Sequence, residues 1–108
     1  MENQTISEGK TMAIIAYITV IGTLIAFIMN QKNKNSFASF HIRQALGIFL
    51  MGVVFNFITK LFDLGFAFQM LGILIFALWV VGLVYAFQGK EKTIPVVGDY
   101  FQQWFQNI

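Results

Sequence analysis

The sequence predicts an all-α integral membrane protein, with three transmembrane helices followed by a C-terminal amphipathic helix at the interface. Three observations carry that expectation. Apolar runs at Thr11–Met29, Ala45–Thr59 and Leu64–Gln88 fill most of the 108 residues. The chain is 57% hydrophobic and 11% charged, against roughly 25% charged in a soluble domain. A 12.3 kDa chain of that composition lacks the polar residues to cover its surface in water. Five of the seven Lys and Arg residues also fall where one side of a membrane would see them. The length allows a single membrane domain, residues 1–108.

A helix rises about 1.5 Å per residue and the hydrocarbon layer is about 30 Å thick, so a span needs roughly 20 residues. Thr11–Met29 meets this as the first span. It reads as retained, because Met1–Lys10 is a poor cationic leader and no small-x-small cleavage site precedes the polar turn Asn30-Gln31-Lys32-Asn33-Lys34. The core Ala45–Thr59 is short alone. Extended to residues 37–62 it spans, with Arg43 and Lys60 sending their charges to the two interfaces and Ser36 as N-cap. Residues 64–88 span with tilt. The short link Leu61–Gly65, with turn residues Asp63 and Gly65, makes spans two and three antiparallel neighbours.

In the tail, Val97, Tyr100, Phe101, Trp104, Phe105 and Ile108 share one helical face, opposite Asp99, Gln102, Gln103, Gln106 and Asn107. Pro95 and Gly98 separate this helix, about residues 98–108, from the third span. It should lie along the cytoplasmic interface with its aromatic face in lipid. No Lys or Arg sits on its polar face, so hydrophobic insertion or packing on the bundle must hold it.

Lys32, Lys34 and Arg43 follow the first span, and Lys90 and Lys92 follow the third. With three spans these five share a side, leaving Lys10 and Lys60 on the other. The bias of cations toward the cytoplasm then predicts a multi-pass protein of the cell (inner) membrane, N-terminus outside and C-terminus cytoplasmic.

Small and polar residues mark packed faces in lipid. The first span presents Ala16, Thr19, Thr23, Ala26 and Asn30. The second presents His41, Ala45, Gly52, Asn56 and Thr59, and the third Gly65, Gln69, Gly72, Trp79, Gly82 and Ala86. The expected picture is a three-helix bundle with these stripes inward, Asn56 and Gln69 bonding between helices. His41, Arg43 and Gln44 form the densest polar cluster. They are candidates for an interfacial contact with a headgroup or partner, or an anchor that satisfies the loop backbone and holds Arg43 at phosphate level.

The segments Phe27–Ser36, Phe40-His41-Ile42-Arg43-Gln44-Ala45-Leu46 and Lys90-Glu91-Lys92-Thr93-Ile94-Pro95-Val96-Val97-Gly98 follow one another in a familiar order. Over roughly Ala13 to Gly98 the chain resembles small bacterial membrane proteins similar to the channel-type subunit of the chloroplast inner-envelope protein-import translocon. The resemblance implies a component of a preprotein conduit, although the plastid relatives have four spans. It assigns no catalytic or binding role to any residue.

Chemistry is sparse. A formal charge of +2 without a basic stripe gives no sign of nucleic-acid binding. No Cys is present, so disulfides and thiolate metal sites are excluded. Ser39 and His41 point to different helix faces and make no Ser-His-acid site. His41 would need a second axial ligand to hold haem, and no cofactor or metal is expected. The sequence therefore points to a non-enzymatic small multi-span protein. Its expected partners are the bilayer, other membrane subunits or further copies of itself, and its expected role is an accessory or translocon-like subunit. The alternative is an oligomeric passive pore or small transporter, although no ionisable group sits mid-membrane to couple to a gradient.

Overall fold

A computed structural model describes residues 2–32 and 34–108. Met1, and Asn33 of the polar turn, lie outside the described residues. The chain runs α1 (Glu2–Ile18), α2 (Val20–Lys32), α3 (Ser36–Leu61), α4 (Phe66–Phe87) and α5 (Gly98–Trp104), with no strand among the described residues. The all-helical class is as the sequence predicts, while the count of three spans is not confirmed.

Two helices, α3 and α4, are long and apolar enough to cross a bilayer. The run expected as the first span is broken at Thr19 into α1 and α2. The chain reverses there. Near the start of α1, Thr5 accepts a bond through its carbonyl from Asn35 Nδ2 (2.8 Å), just beyond the end of α2. At the other end of α1, Ile18 lines a groove with Ile48 and Gly52 of α3. So α1 runs beside α3 in the same direction, and α2 returns. From Thr5 the hairpin rises about 20 Å, while α3 is about 39 Å long. The hairpin covers only the first half of α3.

A reversal within an apolar run has to satisfy its own backbone. Thr19 Oγ1 accepts from Gly22 N–H (2.9 Å), capping α2. The Thr23 hydroxyl donates to the Ala16 carbonyl (2.6 Å), which the break would otherwise orphan. Gly22 is required at the bend, since any Cβ there would collide with the Ile15 carbonyl oxygen. Ile21, Leu24, Ile25 and Ile28 of α2 face outward and are exposed.

The start of α3 is fixed by Asn35, not Ser36. Its Oδ1 accepts from Ala38 N–H (3.0 Å). Its own N–H donates to Asn30 Oδ1 (2.9 Å), and Asn30 Nδ2 donates to Ser39 Oγ (2.8 Å). Three elements are thereby stitched at the loop end. Residues 62–65 link α3 to α4, with Gly65 at φ 82. Beyond the hairpin the two spans touch through stacked Phe55 and Phe68 (centroids 4.7 Å apart) and through Phe55 over Gly72.

The core lies in the hairpin half. Ala13, Ala16, Tyr17, Ala26, Phe37, Ala38, Ile42 and Ala45 are buried there, the alanines letting backbones approach closely. Gly82 and Ala86 of α4 close the other side, Gly82 against the Tyr17 ring.

Candidate functional site

The densest polar cluster sits near the loop end, in the first turns of α3 and against residues 90–94. Tyr17, His41 and Gln44 are each 0% exposed, and together they form one directed chain of hydrogen bonds. The Ile94 N–H donates to Gln44 Oε1 (2.9 Å). Gln44 Nε2 donates to the Tyr17 hydroxyl (2.9 Å), and that hydroxyl meets His41 Nδ1 at 2.7 Å. His41 Nε2 lies 2.8 Å from the Lys90 carbonyl. A carbonyl only accepts, so Nε2 carries the proton and Nδ1 accepts from Tyr17. The rings of Tyr17, Phe37 and Phe40 meet His41 edge-on at 4.8–5.4 Å, sealing it from water.

The cluster ties three pieces together: α1 through Tyr17, α3 through His41 and Gln44, and residues 90–94 after α4. Trp79 Nε1 adds α4 by donating to the Tyr17 carbonyl (2.5 Å). Both imidazole nitrogens are engaged, so His41 offers no lone pair to a haem iron or metal. His41 and Gln44, candidates for an outward contact, lie inside the molecule. Arg43 is half-buried and turned to the tail, with Nη1 donating to Gln102 Oε1 (3.3 Å) and Nη2 to the Gln106 carbonyl (3.2 Å). Its Nε is buried without a bond.

The tail helix forms, and it packs. Phe101 is 5% exposed and rests on Gly47, where a Cβ would fall inside the ring. Gln102 Nε2 donates to the Phe40 carbonyl (2.8 Å). Tyr100 and Trp104 remain exposed, on the apolar side shared with Leu50 and Val54 of α3. Before it, Val97 N–H donates to the Pro95 carbonyl (2.8 Å), a γ-turn centred on Val96 at φ 70 with Val96 86% exposed.

Asn56 and Gln69 do not bond between the spans. Both are exposed, because the hairpin ends below them and no third helix reaches their level. Asn56 instead lines a groove of about 390 Å³ with Gly52, Gly72, Phe76 and Trp79, directly beyond Ile18. A second apolar groove of about 670 Å³ runs along the opposite side of the α3–α4 pair, from Phe68 to Pro95–Val97. Sequence reasoning missed Tyr17 as the hub of the cluster. Its signal was an aromatic with a hydroxyl at the apolar end of α1, where a buried O–H needs a partner.

Fold and site together define a small membrane protein with two helices long and apolar enough to cross a bilayer, a helical hairpin packed on the first half of α3, and a latched C-terminal segment. Residues 8–101 match the model of the magnetosome magnetite crystal formation protein family, MamF/MmsF, and the chain belongs to that family. It is also 26% identical over 105 residues to the UPF0132 membrane protein MJ1443 of Methanocaldococcus jannaschii, covering 94% of this chain and 91% of that one. No solved structure matches. The family match overturns the resemblance to the chloroplast import translocon, to which no comparison points. Two of the three segments that suggested it have another explanation. Phe40–Leu46 and Lys90–Gly98 are mated halves of one latch, His41 to Lys90 and Gln44 to Ile94.

Proposed function

We propose that this protein is a non-enzymatic structural subunit of a membrane assembly, with both ends on the cytoplasmic side of the cell membrane. One observation carries the reading. The side chains best suited to chemistry are consumed, donor by donor, in holding the hairpin and the C-terminal segment to α3. What faces outward is apolar surface, with two open grooves along α3 and α4.

The orientation follows from charge. Lys10, Lys32, Lys34, Arg43, Lys90 and Lys92 belong to the loop end, and Lys60 to the far end among the described residues. Six cations against one is a stronger cytoplasmic signal than the five against two expected from three spans. A passive pore is the weaker reading, because the grooves are lined by aromatic and aliphatic side chains with Asn56 as the polar exception. The crystal-formation role in the family's name is not carried over.

Single cysteines at Val53 and Ile73, exposed on α3 and α4, test the subunit reading by crosslinking in native membranes. Discrete crosslinked species, to a second copy or another membrane protein, are expected. A chain that stays strictly monomeric and uncrosslinked at both positions contradicts it.

A further inference from the structure

The geometry points to a second activity: the molecule is a wedge that favours curved membrane, its broad end in the leaflet that bulges outward. In the half nearest the loop end, four helices stand side by side, α1 and α2 together with α3 and α4. In the far half only α3 and α4 remain, because the hairpin turns back at Thr19 opposite Ile48–Gly52. A helix with its side chains is roughly 10 Å across, so each contributes a cross-section of about 80 Å². The near leaflet therefore accommodates about 160 Å² more protein than the far one.

The tail widens the same end. It lies against α3 between Phe40 and Gly47, with Tyr100 and Trp104 exposed toward the apolar layer. An amphipathic segment at that depth spreads headgroups without filling the far leaflet. The lipid-facing nature of the hairpin is on its surface, since Ile21 is 69% exposed and Ile28 65%.

The wedge is held stiffly enough to act on lipid. Asn30, Asn35 and Ser39 pin the hairpin's open end. Tyr17, near its apex, is bonded to His41, Gln44 and Trp79. A hairpin fastened at both ends cannot splay to relieve the mismatch, so the bilayer must respond. The inference requires that α3 and α4 span the membrane, but not the assignment of the broad end to the cytoplasm.

The test uses the full chain, which has no Cys, with Lys34→Cys marking the broad end or Asp63→Cys the narrow end. Each is reconstituted by detergent removal into phosphatidylcholine–phosphatidylglycerol vesicles. One preparation is fractionated by size, and each fraction is treated with a membrane-impermeant maleimide. The outward-facing share of Lys34→Cys should climb from about half in the largest vesicles to a clear majority in the smallest, and that of Asp63→Cys should fall in mirror image. Equal outward shares in every size class would overturn the wedge, as would both markers rising together.

Discussion

Gln44 gives the sharpest perturbation of the latch. Gln44→Leu keeps roughly the same volume but removes the acceptor for Ile94 N–H and the donor to the Tyr17 hydroxyl, at 2.9 Å each. Tyr17 keeps its bond to His41, so the main loss is a buried backbone N–H left without a partner. Such a group costs about 1–3 kcal/mol. An ordinary interhelical side-chain bond in a membrane is worth about 0.6 kcal/mol. These magnitudes separate two outcomes. At about 2 kcal/mol, the opening equilibrium of residues 90–98 shifts about 30-fold, whereas at 0.6 kcal/mol it shifts about threefold. Amide hydrogen exchange in detergent micelles reads this directly at Ile94 and Gly98, with α3 amides as the internal reference. The account predicts acceleration nearer the larger figure, confined to the segment after α4. Exchange at Ile94 within about threefold of the parent, or acceleration spread evenly over α3 and α4, would refute the reasoning.

Three further outcomes follow from the packing. Gly47→Val should eject Phe101 from its seat, release α5 at a cost of about 2 kcal/mol of buried aromatic surface, and open the tail to limited proteolysis while α3 and α4 stay helical. Asn35→Ala removes the α3 cap and the bond to the Thr5 carbonyl, and should lower thermal stability by about 1–2 kcal/mol. Val96→Gly should do the reverse. Val96 is exposed and held at φ 70, where a side chain costs about 1–2 kcal/mol, so glycine should raise the melting temperature; a fall would mean that the turn is not strained.

Much of the fold is legible in the chain because lipid leaves few options. Apolar length gives α3 and α4, and the short link makes them a hairpin. The face spacing of Val97, Tyr100, Phe101 and Trp104 gives α5. The first span misleads because Thr11–Met29 has the length and apolarity of a span, and hydropathy does not register a bend. The local signal is Thr19-Val20-Ile21-Gly22, a hydroxyl N-cap with glycine three residues on, set within a run of β-branched residues that weaken a helix. The small-residue stripes illustrate the same limit. Ala16, Thr23, Ala26, His41, Ala45, Gly82 and Ala86 pack inward as their spacing implies, but Asn56 and Gln69 continue their stripes past the end of the hairpin and find no neighbour. His41 and Gln44 stand out by type and position, yet their partners at Lys90 and Ile94 are backbone groups, which no side-chain pattern announces.

The re-entrant hairpin is the claim on which fold, orientation and wedge all rest, and side-specific labelling of single cysteines in intact cells tests it most directly. With Lys10→Cys, Lys92→Cys and Asp63→Cys, the account predicts that the first two are protected from an impermeant reagent and the third is labelled. Labelling of Lys10→Cys and Asp63→Cys together, with Lys92→Cys protected, would restore three crossings and contradict it.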